Sequence, residues 1–157
     1  MPGFGGFSGA QSTTVSSKEI DASTPWVAAS DGDLDLLKAS IEKLGLEPGA
    51  TDDNGFTCLH AACGYCRVDV IRWLLAAKDK VDVNCRDSEG DTPLHHCDDA
   101  TSAKMLIEAG ADCQLKNDDG KTPLKAKEEE LSEMEEDDED EDYTKLKELV
   151  VYLTGLR

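Results

Sequence analysis

One short pattern recurs three times along this chain of 157 residues and limits its architecture more than any other feature. Gly55-Phe56-Thr57-Cys58-Leu59-His60-Ala61-Ala62 is echoed by Gly90-Asp91-Thr92-Pro93-Leu94-His95-His96-Cys97, and again by Gly120-Lys121-Thr122-Pro123-Leu124-Lys125-Ala126. Each copy is preceded at the same offset by Asp52, Asp87 or Asn117. Val81-Asp82-Val83-Asn84 and Gly110-Ala111-Asp112 lie ahead of the second and third copies. Such self-similarity marks a stack of small units, none of which can bury its own apolar face, so that neighbours supply one another's core.

Local chemistry agrees. The glycine after each Asp-x-x or Asn-x-x supplies the positive φ of a tight turn. The threonine opens a helix, and a proline is tolerated next because the N–H it lacks would find no helical partner anyway. Val70-Ile71-Arg72-Trp73-Leu74-Leu75 and Ala103-Lys104-Met105-Leu106-Ile107 read as second helices, and Trp26 and Trp73 are expected to face the stack. Thr57 to Thr92 spans 35 positions and Thr92 to Thr122 only 30, against a usual repeat of about 33. The shortage falls between Cys97 and Thr101, so the first helix after Thr92 should be short or its turn tight. An atypical opening unit has Pro25 to Gly32 as its first helix and Leu34 to Ile41 as its second, and Lys145 to Leu153 forms the closing helix.

The sequence D-x-x-G-x-T-P-L-H, then an apolar helix, then G-A-D-V-N, resembles the ankyrin repeat. The resemblance covers about residues 22–157 and implies an all-α solenoid of about four helix-turn-helix repeats joined by β-hairpin fingers. The repeats fall at about 22–50, 51–85, 86–115 and 116–157. Residues 1–21, rich in Gly, Ser and Thr, are expected to be a disordered tail, with Gly3-Phe4 and Gly6-Phe7 as its only candidate docking motif. In this family the motif histidine bonds the backbone of adjacent hairpins, which assigns that role to His60 and His95. The family's concave groove is lined by residues flanking the turn glycine and by those near the end of the first helix. Carried onto this chain, that places Phe56, Tyr65, Arg86, Glu89, Asp91, Asp118 and Lys121 in a partner-binding face.

The formal net charge is -18. It disfavours nucleic acid and anionic membranes, which need clustered Lys and Arg, and favours a basic protein partner. Residues 128–142 hold twelve carboxylates in fifteen positions, eight of them consecutive from Glu135 to Asp142. Self-repulsion predicts a disordered acidic loop interrupting the last repeat. Ser132-Glu133-Met134-Glu135 has the acidic residue three places on that an acid-directed kinase such as casein kinase 2 favours. No basic-then-apolar leader opens the chain and no apolar run approaches the length of a membrane span. Six cysteines without a leader read as reduced thiols, which points to cytoplasm or nucleus.

Candidate chemistry is sparse. Cys63-Gly64-Tyr65-Cys66, with Cys58 and His60 upstream, has the spacing of a thiol redox pair or half a zinc site. The repeat register instead puts Cys63 at a helix alanine and Cys66 at the helix-ending glycine. His95 and His96 are neighbours on a helix, point about 100° apart and are poor co-ligands of one metal. No phosphate-loop, zinc-protease or serine-hydrolase motif is present. The expectation is a monomeric, non-catalytic protein-interaction module without metal or cofactor: an adaptor, an inhibitor, or an escort of a basic client. The chain resembles small acidic ankyrin proteins of eukaryotes, some of which chaperone ribosomal proteins. A thiol redox or metal-binding protein using Cys63 and Cys66 is the alternative.

Overall fold

The computed structural model describes residues 19–136 and 139–156, so most of the expected N-terminal tail and its Gly-Phe pairs lie outside the described residues. Among the described residues eight helices follow one another as four pairs: α1 (Thr24–Asp31) with α2 (Leu34–Leu44), α3 (Cys58–Gly64) with α4 (Val68–Ala76), α5 (Pro93–His96) with α6 (Ala100–Glu108), and α7 (Pro123–Glu133) with α8 (Glu141–Thr154). The fold is the all-α stack expected. The shortfall between Thr92 and Thr122 is absorbed in α5, which has only four residues.

A finger precedes each of α3, α5 and α7. Its first residue folds back on its fifth: Asp52 N–H donates to Phe56 O at 2.9 Å, Asp87 N–H to Asp91 O at 3.0 Å, and Asn117 N–H to Lys121 O at 2.9 Å. The side-chain oxygen of that first residue gathers two N–H groups of its own turn, as Asp52 Oδ1 does from Asn54 (2.8 Å) and Phe56 (2.9 Å). This explains why Asp or Asn recurs there. Gly55 and Gly90 turn the first two fingers at φ +71° and +78°. At Gly90 an added Cβ would also strike Asp118 and Arg86 within 3 Å. The fingers are turns more than strands: among the described residues the ladder amounts to one isolated bridge, Thr51 to Thr57. Ser88 N–H to Asn54 O (2.7 Å) and Asp118 N–H to Glu89 O (3.0 Å) tie each finger to the next.

Each first helix starts on a threonine. Thr57 Oγ accepts from His60 N–H at 3.2 Å while His60 Nδ1 accepts from Thr57 N–H at 3.2 Å, which satisfies two donors that a helix start leaves open. The proton thus left on Nε2 is donated across the stack to Asp91 O at 2.9 Å. His95 repeats the arrangement, with Nε2 on Lys121 O at 2.9 Å. In α7 Lys125 occupies the corresponding place, and its side chain is 59% exposed.

Leu37, Leu59, Ile71, Leu74, Leu94, Leu106 and Leu149 are fully buried along the axis of the stack. Burying each such side chain contributes about 1.5–3 kcal/mol. Cys66 ends the first helix of its repeat at φ +56°, the left-handed conformation that a helix-ending glycine would take.

The segment 128–142 departs from the extended loop expected of it. α7 continues through Glu128–Glu133 because its carboxylates find cations: Glu129 pairs with Lys121 and lies 3.9 Å from Lys125, and Glu130 is 2.8 Å from Lys127. Leu131 also packs on the core. α8 begins at Glu141, where Asp140 accepts from Asp142 N–H (2.8 Å) and Tyr143 N–H (3.1 Å) and the Tyr143 ring is buried. The segment between the two helices is therefore 134–140.

Candidate partner-binding site

Phe56 closes the first finger and leans inward. Its ring stacks on His60 at 5.2 Å between centroids and meets His96 edge-on at 5.4 Å, while its carbonyl accepts from Trp26 Nε1 at 2.9 Å. The Phe56 ring is thus partly committed to packing. Arg86 and Asp118 stand exposed on neighbouring fingers, 3.5 Å apart, with the exposed Glu89 beside them. Asp91 is engaged throughout: its backbone bonds Asp87 in both directions, its carbonyl also holds His60, and its Oδ1 accepts from Asn117 Nδ2 at 2.8 Å. Lys121 is paired with Glu129, whose hydrogen bond and charge hold its ammonium above the ordinary lysine range.

The structure therefore gathers Arg86, Glu89, Asp91 and Asp118 at the fingers, puts Phe56 at their base, and ties Lys121 to α7. Tyr65 lies apart from all of them. It follows α3 at the end away from Phe56 and is 62% exposed. Seven helical residues separate the two ends, which is about 10 Å along the axis.

His60, His96 and Asp87 present ligand-type atoms within 4.8 Å of one another. The arrangement serves structure. Both His60 nitrogens are used, one by Thr57 and one by Asp91 O, so a metal would have to break a repeat-to-repeat bond. His96 Nε2 is 2.9 Å from Asp87 Oδ2. Burial pushes the Asp87 carboxyl up, but hydrogen bonds from His96 and from the N–H groups of Asp91 and Glu89 outweigh it and hold the group below the usual range. In the sequence His96 stands beside His95. Its partners in the structure, Asp87 nine residues back on a finger and His60 in the first helix of the preceding repeat, leave no spacing signal.

The thiols are poorly placed for redox chemistry. All six cysteines are free, and Cys58 and Cys63 are buried. Burial pushes the Cys58 thiol up to about 12. Burial, then Asp99 and Asp98, push the Cys66 thiol up to about 12 as well. A redox or zinc-binding cysteine needs its thiolate favoured, and these surroundings disfavour it. Ser132 sits in the last turn of α7 with its hydroxyl donating to Glu129 O at 2.7 Å. Among the described residues no helix is long and apolar enough to cross a membrane.

A family model for ankyrin repeats (three copies) matches residues 26–117. An ankyrin repeat-containing protein of Schizosaccharomyces pombe is 38% identical over 104 residues, covering 64% of this chain and 49% of the relative. NF-kappa-B inhibitor delta of Mus musculus is 36% identical over 89 residues, covering 57% of this chain and 27% of the relative. BCL-6 corepressor-like protein 1 of Homo sapiens is 30% identical over 101 residues, 62% of this chain but 6% of that protein. The chain thus spans about half the length of the first relative and about a quarter of the second.

Proposed function

The chain belongs to the ankyrin-repeat family, and we propose that it is a non-catalytic escort that binds a basic client protein, such as a ribosomal protein, and masks its charge. Ankyrin repeats are protein-interaction modules, and the finer reading rests on electrostatics. The observation that carries it is the acidic segment 134–140, joined at both ends to helices of the folded stack, in a chain of net charge -18. A segment anchored twice keeps its charge on the stack at high effective concentration, at the end of α7 opposite its finger. Exposed charges more than about 8 Å apart are screened at physiological salt. Its effect is therefore on the rate of encounter and on covering basic surface, more than on contact energy. Six free thiols fit a reducing cytoplasm or nucleus, and a single stack of four helix pairs fits a monomer. The finger residues Arg86, Glu89, Asp91, Asp118 and Lys121, with Phe56, supply the contact face in this reading.

The test halves the segment's charge without touching the helices: Glu135→Gln, Glu136→Gln and Glu139→Gln in one variant. Ribosomal proteins stripped from subunits would be mixed with each form at low salt. The expected result is that the native chain captures a subset and keeps it in solution, with association at least about threefold slower for the variant and the gap closing as salt rises. Equal rates across the salt series would reduce the segment to a solubilising feature. No capture by either form would remove the basic-client reading.

A further inference from the structure

The first helices of three successive repeats end side by side. Tyr65 follows α3, Asp98 lies just beyond α5, and Met134 ends α7. Together with the start of α8 they enclose a groove of about 470 Å³. Its apolar walls are Tyr65, Met134 and Leu146, and its carboxylates are Asp98, Glu130 and Asp142. Among the described residues Tyr65 is left 62% exposed.

The field in the groove favours a cation. Asp98 and Glu130 share the single ammonium of Lys127, and Lys145 is paired with Glu141 at 2.7 Å. Asp142 and the adjacent Asp99 add carboxylates beyond those pairs. The C-terminal ends of α3 and α7 contribute partial negative charge to the same place, offset in part by the N-terminal end of α8. The negative field already registers on Cys66, where Asp99 and Asp98 add to burial in holding the thiol protonated.

We propose that this groove binds an arginine side chain presented by an extended segment of a basic protein. The guanidinium lies on the Tyr65 ring with its N–H fork toward Asp142 and Asp98, and the aliphatic stem lies along Met134 and Leu146. Arginine suits the groove better than lysine. Its planar cation stacks on an aromatic face and engages carboxylates two at a time, and it is the more weakly hydrated of the two. The proposal rests on the basic-client reading and deepens it. It puts a specific contact at the opposite end of α3 from Phe56 and the fingers, beside the acidic segment 134–140.

A short fluorescent peptide of alternating arginine and glycine, titrated into the full chain at low salt, tests this by anisotropy. Tyr65→Ala with Asp142→Asn should weaken binding about fivefold or more, since both residues are exposed and neither change touches the core. Lys145→Gln, which removes the competing cation, should tighten it. Asp35→Asn with Glu42→Gln, both exposed on α2 and outside the groove, should leave it unchanged. A lysine-for-arginine peptide should bind more weakly. If the Tyr65 and Asp142 changes leave affinity unaltered while the native chain still binds, the groove is not the site and the basic-client reading stands. If the native chain does not bind the peptide, the basic-client reading and the groove assignment fall together.

Discussion

Lys127 Nζ lies 2.7 Å from Asp98 Oδ1, across 29 residues of sequence, with the lysine side chain 6% exposed and the aspartate 46%. Glu130 closes on the same ammonium at 2.8 Å. Burial pulls the lysine pKa down, but Asp98 and then Glu130 outweigh it and hold the group charged. An ammonium under two half-exposed carboxylates thus clamps α7 to the turn that follows α5.

The asymmetry of that clamp gives the first prediction. Lys127→Met keeps an apolar stem and frees two carboxylates that water can reach, so it should cost about 1 kcal/mol or less. Asp98→Ala with Glu130→Ala strands a buried ammonium and should cost about 3 kcal/mol or more. Urea unfolding of the two variants ranks them. A costlier Lys127→Met would mean that the pair, not its desolvation, dominates.

The motif histidines make stability fall in mild acid. Burial lowers the pKa of His60 and of His95 below 6.5, against smaller opposing effects from their backbone partners. The unfolded chain then binds more protons than the native one between the lowered values and 6.5, so stability rises with pH through that window. Their contribution is fully present above 6.5 and is lost as pH drops below it. Urea midpoints in high salt, which screens the general repulsion among carboxylates, should fall from pH 7 to pH 5.5. A His60→Gln, His95→Gln double variant should show a flatter profile; an unchanged slope would assign the acid sensitivity elsewhere.

Removing the histidines outright should cost about 2–4 kcal/mol each, through a lost inter-repeat hydrogen bond, an opened cap and a cavity. His60→Ala should be the more damaging, because the Phe56 ring and His96 both rest on His60. Thermal or urea unfolding measures this, and equal losses would show that the aromatic contacts add nothing.

Much of this fold could be read directly from residues. The resemblance to the ankyrin repeat implied that His60 and His95 bond the backbone of adjacent hairpins, and the structure places those bonds on Asp91 O and Lys121 O. The missing residues before Thr122 announced a short α5. The extension of α7 could not be read that way. Glu128 to Glu133 looks like repelling charge until Lys121, Lys125 and Lys127 are placed on the same helix face and finger, and Leu131 against the core. Lys127 itself reads as a surface residue in Lys125-Ala126-Lys127-Glu128, because the Asp98 that lets it be buried belongs to another repeat. The face expected to bind a partner likewise split in two. The sequence sets Phe56 after the turn glycine and Tyr65 at the helix end, but it does not show that the Phe56 ring turns in on His60 and His96 while Tyr65 stays exposed.

That split predicts different costs for two aromatic truncations. Phe56 packs against the core with His60 and His96, so Phe56→Ala should cost about 1–2 kcal/mol. Tyr65→Ala should stay within about 0.5 kcal/mol. Chemical denaturation of both decides it, and a large loss at Tyr65 would mean that its ring supports the fold.

Lys125, standing where His60 and His95 stand in α3 and α5, ends the run of histidine couplings. Each histidine donates forward to one successor while its Nδ1, accepting from its own threonine, fixes its aim; a flexible, solvated ammonium can donate but has no acceptor nitrogen to aim it. Lengthening this solenoid by grafting further units onto α7 would therefore give a joint without its latch, whereas insertion between the second and third units would meet a matched coupling on both sides.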